Sequence, residues 1–436
     1  MAIAVSPEFE KATYFKVAYR LIPFLFLCYI VAFLDRVNVG FAKLQMAGDL
    51  GYSDAVYGFG AGIFFIGYFL FEVPSNVILE RVGARMWIAR IMITWGLLSA
   101  AMMLVQTAEQ FYILRFLLGV AEAGFYPGVI YYFSGWFPPC HRSRAVSRFY
   151  IAGPLGSVVM GAMSGWLLSL DGNAGLHGWQ WLFLVQGLPT VLVGLAVLRY
   201  LPDSPATAPW LSAPEKDWIH QQLAREQQAI GASASHNVLA AYRNPRVLMF
   251  GAIGITCIGA FITFTLSAPM ILAEATGLDV TNVGYLVSVG GVIGTAATLY
   301  LGNRADRNGD RFILGFWCAA MMAASLFTIW LAPSPLIVGI AYLAFSTVAF
   351  AVSMLISSAW AEALHVRELA IGAAAINTLS QIGAFVTPFA WGAAKDATGD
   401  FDAGLIGITL MMVANALLIL LLRQQIRGRT LRPATA

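Results

Sequence analysis

Asp35, Arg36, Arg115 and Glu122 are ionisable residues inside long apolar runs. A charge near the middle of a membrane helix costs at least about 2.5–3.5 kcal/mol, so it persists where it faces a cavity or a partner. Carboxylates and arginines buried together can exchange protons and grip an anion. In low dielectric, a carboxylate's hold on its proton depends on whether an arginine lies beside it. A ligand that draws the arginine away therefore makes the acid take up a proton. A static lattice of ion pairs joining two helices is the plainer alternative, and the cost of burying four charges argues against it.

The elements that must position these residues are membrane helices. Hydrophobic residues make up 59% of the 436-residue chain and charged ones 11%, with mean hydropathy +0.73. A soluble domain carries roughly 25% charge. Twelve apolar stretches are long enough to cross about 30 Å of hydrocarbon, near 20–42, 55–79, 86–105, 110–133, 146–170, 181–200, 246–272, 281–301, 312–332, 336–358, 369–392 and 403–422. The polar start, Met1 to Arg20, runs into a span too long for a cleavable signal core. The first span puts Asp35 about 22 Å from Arg20, and the fourth, running oppositely, puts Arg115 about 8 Å from Gln110. Asp35 and Arg36 are thus expected to meet Arg115, with Glu122 two turns deeper on nearly the same face.

Twelve spans bring both termini to one side. With that side cytoplasmic, the external loops hold only Lys43 and Lys395 among the basic residues. Apart from intramembrane Arg36 and Arg115, all the others fall inside, the expected positive-inside bias. The net charge of +3 therefore follows topology and gives no reason to expect nucleic acid. Cys28, Cys140, Cys257 and Cys318 form no CxxC pair and read as small buried hydrophobes. His141, His177, His220, His236 and His365 map to loops without metal-ligand spacing, and no phosphate-binding GxxxxGK[ST] occurs. A nucleophile or metal constellation for a membrane-embedded enzyme is not evident.

Residues 201–245 form the longest polar stretch, with an amphipathic segment from Trp210 to Gln228. They divide the chain into a six-span half, 1–200, and a second, 246–436. Glu80, Arg81, Gly83 and Arg85 recur as Asp306, Arg307, Gly309 and Arg311, each 226 positions later. Internal repeats of spans with a site between them are the architecture of secondary transporters.

These acid-Arg-x-Gly-x-Arg loops resemble the signature of the major facilitator superfamily, here with Asn76 where glycine is usual and Glu80 for aspartate. The runs Phe33-Leu34-Asp35-Arg36-Val37-Asn38-Val39-Gly40, Gly67-Tyr68-Phe69-Leu70-Phe71-Glu72-Val73-Pro74-Ser75-Asn76 and Arg115-Phe116-Leu117-Leu118-Gly119-Val120-Ala121-Glu122-Ala123-Gly124 are similar to its anion:cation symporter family. The first half fits closely, the second more loosely. The resemblance implies an all-α fold of twelve transmembrane helices in two pseudo-symmetric halves. It also implies a proton-coupled symporter of organic anions such as tartrate, sugar acids, phthalate or hydroxyphenylacetate. Asp35 and Glu122 would be protonation sites; Arg36 and Arg115 would be anion anchor and switching partner, in an order left open. Tyr68 and Asn377 match substrate contacts, with Trp360 and Gln381 as further candidates. Glu72 reads as an interfacial gate or packing residue.

Expected partners are therefore a small organic anion, protons and the lipid bilayer of a cytoplasmic membrane. No cofactor beyond the proton gradient is implied, and a monomer suffices. In the second half, Thr263-Phe264-Thr265-Leu266-Ser267-Ala268-Pro269 and Val289-Gly290-Gly291 depart from the family's more polar runs, as does Phe33, where relatives often have tyrosine. They point to a bulkier or more apolar carboxylate than a sugar acid. The alternative is a proton-driven exporter, because Gly153-Pro154-Leu155-Gly156 resembles part of an antiporter motif.

Overall fold

The computed structural model describes residues 6–230, 242–308, 310–331, 334–364 and 369–430. Helix α1, Pro7–Leu50, starts where the Ser6 hydroxyl accepts the Phe9 N–H at 3.3 Å and stops at Gly51, φ +66°. At 44 residues it is about 66 Å long and outruns a 30 Å core at both ends. Lys43, expected in a loop, is therefore a buried residue of α1. Helix α2, Asp54–Val82, begins on the Ser53 hydroxyl and ends at Gly83, φ +96°; α3, Ala84–Ala101, follows at once.

The fourth span is two helices, α4 (Ala108–Glu122) and α5 (Phe125–Ser134), hinged at Gly124, φ +89°. The Ala123 carbonyl freed there accepts the Ser75 hydroxyl at 2.6 Å, and Trp87 Nε1 donates to Ser75 at 2.9 Å. Backbone at membrane depth must find such partners in the protein. The fifth span also divides, into α6 (Pro139–Tyr150) and α7 (Ala152–Leu168). Then come α8 (Gly178–Tyr200), the linker helix α9 (Ala213–Ile230), α10 (Pro245–Thr276), α11 (Val280–Asn308), α12 (Arg311–Leu331), α13 (Pro335–Ala363), α14 (Leu369–Thr398) and α15 (Asp402–Thr430).

All twelve expected spans are helical. Among the described residues eleven are long and apolar enough to cross a membrane by composition alone. The exception, α14, carries the polar run Asn377-Thr378-Leu379-Ser380-Gln381. His141 and His220, expected in loops, lie in α6 and α9, whereas His236 and His365 fall outside the described residues.

The two sets of six spans meet along α1 with α10, α2 with α14, and α7 with α11. Glycines let the backbones touch: a Cβ on Gly58 or Gly62 would run into the Pro388 or Phe385 carbonyl, and Gly161 and Gly284 abut each other. At the end of the bundle opposite the termini, this seam is locked by charge. Lys43 pairs with Asp54, Lys395 reaches Asp54 at 3.7 Å and Glu274 at 3.4 Å, and Asp396 accepts the N–H groups of Asp54 and Ala55 at 2.9 and 2.8 Å. A residue of α14 thus caps α2 across the seam. Toward the termini, α9 is fastened to α1 by Lys16–Glu215 at 2.9 Å and by Phe9 and Tyr14 against Trp218, ring centres 6.1 and 5.0 Å apart.

The repeated loops close each half with a bridge of opposite polarity. Arg85 reaches Asp203 at 3.0 Å beyond α8, while Asp310 accepts from Arg423 of α15 at 2.8 Å. Glu80, Arg81 and Arg307 are exposed, and Arg311 donates to the Ser358 carbonyl at 3.4 Å. Asp310 also accepts the Ile313 N–H at 3.2 Å, capping α12. Gly309 and the Asp306 side chain lie outside the described residues.

Candidate functional site

Neighbouring residues on a helix point about 100° apart, and Asp35 and Arg36 separate accordingly. Asp35 turns into the first half, where its two oxygens accept the Ser99 hydroxyl of α3 at 2.7 Å and the Thr190 hydroxyl of α8 at 2.8 Å. Arg36 turns toward α4: Nε donates to Glu122 Oε1 at 2.9 Å, and Nη2 reaches the same oxygen. The Tyr68 and Phe64 rings lie 5.3 and 5.8 Å from its guanidinium carbon. Arg115 pairs with neither acid. It donates to the Gly60 and Ala61 carbonyls of α2 at 3.2 and 3.3 Å, with the Phe64 ring 4.9 Å away.

The expected meeting of Asp35 and Arg36 with Arg115 is therefore replaced by an Arg36–Glu122 pair. The Phe64 ring is a neighbour of both guanidinium groups, and the side chain one residue earlier on α1 faces α3 and α8 instead. Accessibility separates the four charges. Asp35 is 0% exposed and Arg115 and Glu122 1% each, whereas the Arg36 side chain is 28% exposed. Glu122 Oε2 is buried without a hydrogen-bond partner among the described residues. Glu122 is also the last residue of α4, at the helix break.

The other candidates are more scattered. Tyr68 is buried against Arg36. Asn377 donates to both Glu72 oxygens at 3.3 and 3.2 Å, joining α14 to α2 across the seam. Gln381, one turn further on, is half-buried. Trp360 lies about 38 Å along α13, near the end of the bundle that bears the termini. It sits well away from the charge cluster, and its indole N–H has no partner among the described residues. Sequence reasoning overlooked Ser99 and Thr190, hydroxyls in mid-span that face an intramembrane acid, and the Phe64 ring beside both arginines.

A cavity lies between α1 and α7 on one side and α10, α11 and α13 on the other, reached on α1 at Val37, the residue after Arg36. Its walls include Val37 and Phe41 of α1, Met160 of α7, Ala268 of α10 and the two glycines Gly290 and Gly291. Phe261 meets Phe350 at 5.1 Å, and Phe264 meets Phe345 at 4.4 Å. Among the described residues no charged side chain lines it.

Residues 25–388 match the model of the Major Facilitator Superfamily. The chain is 41% identical over 427 residues, 96% of each chain, to an Agrobacterium vitis protein provisionally named for tartrate transport. It is 38% identical over 413 residues to the quinolone resistance transporter of Acinetobacter baumannii, covering 94% of this chain and 95% of that one. The inward-open structure of the xylose transporter XylE from E. coli has the same fold, with TM-score 0.74 at 15% identity, covering 92% of this chain and 96% of that one. Family match, full-length relatives and twelve-helix fold agree: this chain is a membrane transporter, not an enzyme, and it belongs to the Major Facilitator Superfamily.

Proposed function

We propose that the protein is a proton-coupled symporter that imports an organic carboxylate across the cytoplasmic membrane. Both termini and the linker, 201–245, lie on the cytoplasmic side, as the excess of basic residues there supports. The observation that carries the reading is the unequal exposure of the four charges. Arg36 alone is open to a ligand, and its existing partner is a sealed carboxylate with an unsatisfied oxygen. An incoming carboxylate competes with Glu122 for the Arg36 guanidinium. Glu122, released in a dry site, is then far better off protonated. Anion and proton load together, and Arg115, held by backbone carbonyls, keeps α4 against α2 meanwhile. Asp35, bonded to two hydroxyls of its own half, is the second proton site. Rocking of 1–200 against 246–436 about the shared site then exposes it to the other face, with no partner subunit required.

A monoanion entering with one proton is electroneutral and driven by the pH gradient. With both acids loaded, one net positive charge enters and gains about 2.3 kcal/mol per 100 mV. The test is interior pH in proteoliposomes loaded with a pH dye, after external addition of membrane-impermeant carboxylates. Acidification that needs the protein and is absent in Glu122→Gln supports symport. Interior alkalinisation would replace it with the second reading, proton-driven export of amphiphilic compounds. That reading draws on the apolar cavity and on the relative named for quinolone resistance.

A further inference from the structure

We propose that the transported carboxylate carries an aromatic ring, which lodges in the cavity between α1, α7, α10, α11 and α13 while its carboxylate binds Arg36. This rests on the symport reading above and names the chemical class of its substrate. Arg36 and Val37 are consecutive on α1, so the anion anchor and the cavity wall occupy neighbouring faces of one helix. Phe33, one turn earlier, lies 5.8 Å from Phe350 and continues the apolar surface between them.

The wall is built for a flat apolar body. The Phe261–Phe350 pair is edge-to-face at 72° and the Phe264–Phe345 pair tilted at 55°, the arrangements in which aromatic quadrupoles attract. A third ring between them finds edges and faces already oriented. Ala268 is the smallest side chain on the α10 wall, while Gly290 and Gly291 let α11 pack closely on α13 and α7. The space amounts to about 50 Å³, the room of roughly four ordered waters. Polar groups on the wall are confined to the Ser157, Thr265, Ser346 and Tyr342 hydroxyls and exposed backbone. Several hydroxyls of a sugar acid would enter without a full set of partners, and unpaired buried polar groups are strongly penalised.

The test is equilibrium binding to the purified full-length protein, by calorimetry at constant pH, of five probes: benzoate, phenylacetate, gluconate, tartrate and the neutral benzamide. Ring acids are expected to bind at least tenfold more tightly than gluconate or tartrate, with benzamide much weaker. Filling the cavity with Ala268→Phe should weaken the ring acids at least tenfold and leave any residual gluconate binding unchanged. Phe350→Leu, which keeps bulk but removes the ring, serves if Ala268→Phe does not fold. Gluconate or tartrate binding as well as the ring acids, or no ring acid binding at all, overturns this inference and leaves carboxylate symport standing. Benzamide binding as tightly as benzoate would instead overturn the carboxylate reading itself, because Arg36 would then not recognise charge.

Discussion

Replacing Asp396 with alanine should open the end of the bundle opposite the termini, the external face in the proposed orientation. In the closed seam Asp396 of α14 accepts two N–H groups from the first turn of α2, at 2.9 and 2.8 Å, and orients Lys395 toward Asp54. Removing a side-chain cap typically costs about 1 kcal/mol, and a charged acceptor roughly doubles the strength of such bonds. The Lys395–Asp54 contact, at 3.7 Å with partly exposed partners, adds little. Lys43–Asp54 and Lys395–Glu274 each lie within one half and survive opening. The bonds that Asp396 itself makes across the seam are therefore worth about 2 kcal/mol, equivalent to roughly a 30-fold shift toward the state open at this end. Spin labels at Gly48→Cys, where a side chain has open space, and Leu278→Cys, in the exposed connection between α10 and α11, report the separation of the halves by pulsed electron resonance. Of the four native cysteines, Cys28, Cys257 and Cys318 are buried, and Cys140, whose side chain lies outside those described, is changed to serine in the labelled protein. Asp396→Ala should add a long-distance population, and Asp396→Asn, which keeps one neutral acceptor oxygen where two charged ones now take the Asp54 and Ala55 N–H groups, should add a smaller one. Superimposable distributions for alanine and wild type would refute the latch, and asparagine indistinguishable from wild type would refute the charged double cap as its basis.

Glu122→Gln should retain substrate exchange across proteoliposomes while losing pH-driven accumulation; accumulation at the wild-type level would remove Glu122 from coupling. Arg36→Lys should weaken carboxylate binding at least tenfold in calorimetry, because an ammonium cannot present two donors to one carboxylate in the guanidinium's fixed plane. On the linker, burial pushes the Glu215 carboxyl up, but the Ser212 N–H and hydroxyl and the Lys16 ammonium outweigh it and hold it below the usual range. Its contribution to docking α9 is thus fully present above the ordinary carboxylate value and is lost as pH falls through the lowered one. Trp218 fluorescence should accordingly stay constant from neutral pH to about 5 and change only in stronger acid, and a transition near neutrality would assign docking to other groups.

Most of the architecture was legible because hydropathy reports span length directly, and every predicted stretch is helical. The breaks at Gly124 and Ile151 were not legible. Hydropathy ignores backbone conformation, and the partner that makes the first break tolerable, Ser75, sits on another span. Lys43 and Lys395 were assigned to loops because apolar runs end before helices do; α1 continues to Leu50 and α14 to Thr398. The charge cluster was found by type, but its pairing was not. Heights along straight helices place Asp35 near Arg115, while only the azimuth around α1 decides that Arg36 faces Glu122 and Asp35 does not. That azimuth is implicit in the 100° step between adjacent residues. The hydroxyls that receive Asp35 could have been sought from it, among polar residues at matching depth in the other spans of the same half.

The four intramembrane charges all come from α1 and α4, and the side chains that bind Asp35 come from α3 and α8. The last six spans contribute mostly small and aromatic side chains to the cavity wall, from α10, α11 and α13. In the proposed scheme the proton sites thus lie wholly in the first half, while much of the wall that would meet the cargo's apolar body comes from the second. Mutations in the second half can alter the fit of the cargo without disturbing the acid–base machinery, and each variant inherits a working drive. An ancestral carrier with this arrangement is readily diversified, and relatives close in sequence across their whole length can carry chemically distant names.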